Sequence, residues 1–296
     1  MLAARLVGLT RGRKRRTRWG THMPFSLTIT PGGDPVTQLV DHIVILSMET
    51  QKAFAEVYGG FDWRVDLTEP AVFWFETEPR TIFQPRFIGS TSGISNTWLW
   101  GWENINGFPD DVVATAISVR DIGAHLEATE LTTAKLDLGA AERAAAGLSS
   151  RDNADYDYVL AALALAPIQA PVYYRGPTGE GSYAWFLIDN DEAFTLAAPT
   201  PLTTVSAIMD AVSSGMVGNG RLAIEKYAER RGGIALAEGD GGVDLVMDAG
   251  KVHVDFDDQG RIAGVAAEAN APGAQSADTK GTRPGFLGRL FGKNSS

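Results

Sequence analysis

Three of the chain's seven tryptophans stand at alternate positions in Thr97-Trp98-Leu99-Trp100-Gly101-Trp102-Glu103-Asn104. Side chains with a period of two point to one face of a β-strand. The spacing therefore predicts a strand over Thr97–Glu103 with Trp98, Trp100 and Trp102 as one indole stripe and Leu99 and Gly101 behind. An aromatic side chain buries about 150–250 Å², so the stripe accounts for up to about 450–750 Å² of apolar surface. An exposed patch of that size would match the largest found on ordinary monomers. The area favours a core role, with the far end of the strand, at Trp102, Glu103 and Asn104, as the place where a pocket wall would emerge.

The rest of the chain is read around that strand. Val36, Leu39, Val40, Ile43 and Leu46 follow helical spacing, and Asp34-Pro35 and Gly59-Gly60 bound a helix over 35–58. The period then shortens. Phe61–Glu69, Ala71–Glu78, Thr81–Ser90 and Thr97–Glu103 are aromatic or β-branched, and Glu69-Pro70, Glu78-Pro79 and Ser92-Gly93 separate them as turns. These features predict an antiparallel meander. A helix is expected over Asp110–Leu126, with acids in its first turn, and a second over Asp152–Ala166, apolar nearly all round and so deeply buried. Val172–Arg175 and Ser182–Ile188 form a hairpin. Beyond Pro201, helices at 205–212 and 221–231 precede four short strands separated by Asp/Gly turns.

The expected architecture is α+β: an antiparallel meander sheet with flanking helices, plus a C-terminal helix pair and β-meander extension. Residues 1–33 are expected to form a basic leader, and 34–199 the aromatic-sheet domain. Residues 200–269 are a subdomain or sheet extension, and 270–296 a linker with a basic and apolar tip.

Charge and composition exclude several chemistries. The net charge is −10, and the seven cations of residues 1–22, with no acid among them, leave −17 on the remainder. A body so acidic repels phosphate backbones, so nucleic-acid binding by the folded part is disfavoured. In the leader, apolar Leu2–Leu9 comes before the Arg/Lys block, the reverse of a secretory signal. The leader reads as an upstream extension or disordered arm before a native start at Met23, with a nucleic-acid or anionic-membrane arm or an organelle transit peptide as alternatives. With no cysteine, disulfides and thiolate chemistry are impossible. The four histidines (His22, His42, His125, His253) have no ligand spacing, and no metal or cofactor is expected. No apolar run reaches the roughly 18–20 residues of a membrane span, and a cytoplasmic location is expected.

Candidate sites are few. Gly176-Pro177-Thr178-Gly179-Glu180-Gly181 lacks the Lys-Ser/Thr ending of a phosphate loop and lies between two strands, so it reads as a hairpin turn. Asp255–Gly260 has the glycine of a calcium loop but lacks the acid at position twelve, where Ala266 stands. Glu103, Asp110, Asp111, Arg120 and Asp121 cluster near the end of the tryptophan strand as possible acid–base groups. At the C-terminus, Phe286, Leu287, Leu290 and Phe291 share a helical face beside Arg289 and Lys293. That tip could dock weakly on a membrane surface or a partner groove.

The segments Phe87-Ile88-Gly89-Ser90, Trp98-Leu99-Trp100-Gly101-Trp102-x-Asn104 and Tyr174-Arg175-Gly176-Pro177 resemble an uncharacterised bacterial family, common in actinobacteria, of the DUF6882 type. The likeness runs from about Asp41 to Phe194. It implies bacterial context and no known activity or site residues, and Glu103 stands where its members usually carry Ala. The residues themselves suggest a non-catalytic binding or protein-interaction module. It would act through Trp98, Trp100, Trp102, Glu103 and Asn104, or through Phe286, Leu287, Leu290 and Phe291, on an unknown partner or small ligand. The alternative is a carboxylate-using hydrolase at Glu103 and Asp110.

Overall fold

The computed structural model describes residues 25–145, 154–189 and 192–270, together with the backbone of a two-residue strand, β1 (Ala4–Arg5), paired with β2 (Thr28–Ile29). Most of the basic leader and the whole of the 285–293 tip lie outside the described residues. The fold is α+β with antiparallel sheets, as expected.

The first helical stretch is two helices rather than one. In α1 (Pro35–Asp41) Asp34 accepts from the amides of Val36 and Thr37, and proline occupies the first turn. Then Ile43, at φ −142°, breaks the spiral before α2 (Val44–Tyr58). The break has a cause in His42, whose ring is held on both sides. Thr28 N donates to Nε2 at 3.0 Å, and Nδ1 lies 2.7 Å from Gln38 O.

A seven-stranded sheet follows. It runs β3 (Trp63–Asp66), β4 (Val72–Phe75), β5 (Thr81–Ser92), β6 (Thr97–Trp100) and β7 (Lys135–Asp137), joined through β5 by the hairpin β8 (Val172–Gly179) and β9 (Ser182–Asp189). Strand β5 organises it, pairing with β4 at Thr81–Phe83, with β9 along Gln84–Thr91 and with β6 at Gly89–Ser92.

Unbroken apolar runs mark strands buried on both faces, and this sheet carries two cores. Ile88, Trp98, Trp100, Trp185 and Leu187 face one way, and Phe73, Phe75, Phe83, Phe87, Phe186 and Ile188 the other. A bulge between Phe87 and Gly89 lets β5 serve both. Helices α2 and α3 (Asp110–His125) each give residues to both cores, Val44 and Phe54 from one and Val119 and Val113 from the other. The short α4 (Thr129–Thr132) and α5 (Ala140–Ala145) lead to α6 (Ala154–Leu165), which is buried all round from Asp157 to Leu165, as its composition foretold.

The C-terminal part consists of α7 (Pro201–Ser213), α8 (Gly220–Arg231) and a separate four-stranded sheet. Its strands are β10 (Ala235–Glu238), β11 (Gly242–Met247), β12 (Gly250–Phe256) and β13 (Ile262–Ala269), in that spatial order. The meander is thus a sheet of its own, not a continuation of the first. Its inner face (Val243, Leu245, Val252, Val254) nevertheless packs with Ile208 and Ile224 into the same core as Trp98 and Trp185.

Polar closures reinforce that junction. Asp41 accepts from the amides of Gly218 and Asn219 at 2.8 and 2.9 Å. Arg230, fully buried, donates at 2.9 Å to the carbonyl of Ala164, one that the end of α6 leaves open, and at 2.7 Å to that of Ile168 beyond the helix. Burial lowers the Arg230 pKa to about 10, against the pull of Glu229.

Candidate functional site

The tryptophan stripe is shorter than the alternation suggests. Strand β6 ends at Trp100, and Gly101–Glu103 forms a 3₁₀ turn, so Trp102 lies beyond the strand, half-buried at the edge of the same core. Gly101 marks the change: a Cβ there would stand 2.7 Å from Phe87 O and 2.9 Å from Ile88 O. Trp98 and Trp100 are sealed at 0% and 1% exposure. Their rings pack edge-to-face at 5.2 Å, with Tyr158 against both.

Behind them lies a buried ionic cluster that the sequence did not single out. Trp100 Nε1 donates to Glu130 O at 2.9 Å, and Arg143 Nη2 donates to Glu130 Oε1 at 2.8 Å. Arg143 Nη1 also donates to the Tyr158 hydroxyl. Burial pushes the Glu130 carboxyl up, and Asp34 adds to the push while Arg143 opposes it. With no solvent at hand, this cluster holds α4, α5 and α6 to the tryptophan strand.

The far end of the strand is likewise committed to structure. Asn104, at φ 46° and ψ 44°, clips its own loop: Phe108 N donates to Oδ1 at 2.8 Å, and Nδ2 donates to Phe108 O at 2.9 Å. Arg120 lies 5.5 Å over the half-buried Trp102 ring and pairs with Asp121 at 2.9 Å. Asp111 Oδ2 accepts from Gln84, and its carbonyl accepts from Arg86. Glu103 and Asp110 face solvent.

The other motifs resolve similarly. A Cβ on Gly89 would come within 2.5 Å of Trp98 Cζ2, and one on Gly176 within 2.6 Å of Trp63 Cη2. These glycines of the motif segments therefore make room for indoles. Much of the 176–181 loop continues β8 as strand, and only the turn around Glu180, at φ 51°, reverses the chain. In the calcium-like loop Asp257 Oδ1 accepts from the amides of Gln259 and Arg261, which closes a turn. Among the described residues no group of three His, Asp or Glu side chains is arranged to hold a metal ion. His253 does sit between two carboxylates on the outer face of the C-terminal sheet, 2.6 Å from Asp244 and 3.0 Å from Asp255. The bond to Asp244 is the main cause that raises its pKa.

One cluster is built yet unspent. The face that buries Trp185 and Leu187 runs outward along β8 and β9 to Tyr173, Arg175 and Tyr183, and the first turn of α6 brings Tyr156 over it. The Arg175 guanidinium lies 4.3 Å from the Tyr183 ring centroid and 5.6 Å from those of Tyr156 and Trp185. Each contact of this kind is worth about 0.5–1 kcal/mol at an exposed site, so three rings fix its position. Among the described residues this exposed guanidinium has no hydrogen bond or ion pair.

Burial raises the Tyr156 and Tyr173 hydroxyls, which stay protonated as donors, and it raises the neighbouring Asp155 carboxyl as well. A planar guanidinium stacked on rings presents its N–H edge to a carboxylate or phosphate, the bidentate geometry that arginine favours. Sequence reasoning missed this site because its parts come from one helix and two strands. The signal within reach was Tyr-Tyr-Arg facing Tyr-Ala-Trp across a hairpin.

A cavity beside Phe54, Phe83, Phe194 and Asp189 measures about 20 Å³, room for one water.

No curated protein and no solved structure matches the chain. Residues 37–191, more than half of its 296, match the family of unknown function DUF6882, and they take in the tryptophan strand, the Glu130 cluster and the Arg175 hairpin. The chain belongs to that family.

Proposed function

We propose that the protein is a non-catalytic binding module whose ligand surface is the Arg175 shelf, formed with Tyr156, Tyr173, Tyr183 and Trp185. The ligand class is a partner segment that offers a carboxylate. The observation that carries this reading is a guanidinium held over three rings with its hydrogen-bonding edge unspent. Fixing a long side chain before the partner arrives removes part of the ordering cost of binding. In a strongly acidic chain, such a cation also discriminates by position, because charges farther than about 8 Å are screened at physiological salt.

The hydrolase reading at Glu103 and Asp110 has less support. A general acid or base needs a carboxylate set apart by its surroundings, and these two face solvent while Asn104 holds its own loop.

The test is a titration of the full chain with acetylated hexaglutamate, followed at the Arg175 Nε–Hε resonance at low salt. A saturable shift is expected with hexaglutamate and none with hexalysine. Arg175→Lys, which keeps the charge and loses the fork, should weaken binding about tenfold or more, the cost of one charge-assisted pair. Equal affinity in Arg175→Gln would overturn the assignment.

A further inference from the structure

Helix α7 is apolar on two faces. Thr204, Ala207, Ile208 and Ala211 are buried beneath it, whereas Leu202, Met209 and Val212 are 80%, 43% and 37% exposed, with Val205 half-buried between them. Those four recur at i, i+3, i+7 and i+10, one continuous stripe along the helix. Val205 leans against the main core, and Leu202, Met209 and Val212 stay exposed on either side of it.

The chain leaves the described residues beside the start of this stripe. Asn270 N donates to Ala249 O at 2.9 Å, and its side chain donates to Asp248 O at 2.8 Å. Ala269 pairs with Gly250, and a Cβ on Gly250 would meet both Ala269 and Pro201, the first residue of α7, at 2.9 Å. The residues beyond Asn270 therefore start at the N-terminal end of α7. The next large apolar residues in the sequence are Phe286, Leu287, Leu290 and Phe291. Fifteen residues separate them from Asn270, and a connection of that length spans about 20–23 Å as a coil. Thirteen helical residues measure about 20 Å, so the reach matches the stripe. The sole charged residue of α7, Asp210, already pairs with Lys52 at 3.6 Å, and residues 285–296 carry Arg289 and Lys293 with no acid.

We infer that Phe286, Leu287, Leu290 and Phe291 dock on the Leu202–Val205–Met209–Val212 face of their own chain. A tip this short is a weak binder in isolation. Tethered, it meets the stripe at an effective concentration in the millimolar range, the regime in which a weak contact becomes populated.

The absence of native cysteine makes thiol protection a clean test. A single thiol is introduced in the full chain as Met209→Cys, an exposed position, and its reaction rate with a disulfide reagent is compared between the native tail and the Leu290→Glu, Phe291→Glu tail. Ala237→Cys on β10 serves as the control thiol. The native tail should slow the Met209→Cys thiol about fivefold, the protection expected when effective concentration exceeds the dissociation constant about fourfold. The Ala237→Cys rate should not change. Equal Met209→Cys rates with the two tails would overturn the inference. So would protection that grows with protein concentration, since the occupant would then be a second copy.

Discussion

Arg231, in the last turn of α8, forks onto Glu49 of α2: Nε lies 2.7 Å from Oε2 and Nη2 2.9 Å from Oε1. Both side chains are buried, and the Tyr227 hydroxyl donates to the same Oε2 at 2.8 Å. Replacing such a pair by matched apolar residues is often harmless, but removing one partner strands the other charge and costs about 3–5 kcal/mol. Glu49→Ala should therefore destabilise the protein by that amount in urea unfolding, and Glu49→Met with Arg231→Met should recover much of the loss. A double variant no better than Glu49→Ala would show that the packing of these side chains matters more than their charge.

His42 makes stability fall on mild acidification. Burial, aided by the Lys226 and Arg230 charges and opposed by the Gln38 carbonyl and Glu229, lowers its pKa from 6.5 to about 4. The bonding explains the neutral form, because Nε2 accepts from Thr28 N while Nδ1–H meets Gln38 O. Between pH 6.5 and 4 the unfolded chain binds this proton and the folded chain does not. Stability contributed by His42 is thus present above pH 6.5 and lost as pH falls toward 4, by up to about 3 kcal/mol. Unfolding at pH 7 and pH 5 should show a steeper loss for the native protein than for His42→Gln. Parallel slopes would sink the prediction.

His253 acts in the opposite direction and more weakly. Its pKa is raised, chiefly by Asp244, so its contribution is full below pH 6.5 and disappears as pH rises through the elevated value. The cluster is partly exposed, and pairs of that kind contribute below about 1 kcal/mol. Its ring resonances should titrate above pH 6.5, and Asp244→Asn should bring the midpoint down. A midpoint unmoved by that change would remove Asp244 as the cause.

Gly89 tests the keystone directly. Alanine there would press its methyl onto the Trp98 ring and the Leu99 carbonyl, both about 2.5 Å away. Overpacking of a tight core costs about 1–3 kcal/mol. Gly89→Ala should destabilise within that range and increase acrylamide quenching of the tryptophan emission, while Gly60→Ala, with open space around it, should change neither.

Much of the fold is legible because its boundaries are punctuated locally. Asp34-Pro35, Thr200-Pro201 and Asn219 mark helix starts and serve there as caps and first-turn prolines. The burial of Trp98 and Trp100 follows from area alone. What the sequence hides is charge inside the protein. Lys226, Arg230 and Arg231 of α8 are all buried, against Ser26, Ile168 and Glu49, which lie 200, 62 and 182 residues away. The end of the strand before Trp102 is equally hidden, since the alternation continues through the 3₁₀ turn at Gly101–Glu103. The Arg175 shelf needs helix α6 laid across a hairpin, and no window of the sequence contains that.

The Asp41, Ala164–Ile168 and Glu49 closures bear on how the family's members can differ. All of these groups lie in the stretch shared with the family, which ends at residue 191, and each receives hydrogen bonds from residues 218–231. A member lacking the C-terminal region inherits the same α2 and α6 without the guanidinia that answer them. In such a relative, a carboxylate at the position of Glu49 would be a debt with no creditor, so that position should be neutral there. Substitution at this site should therefore track the presence or absence of α8 across the lineage.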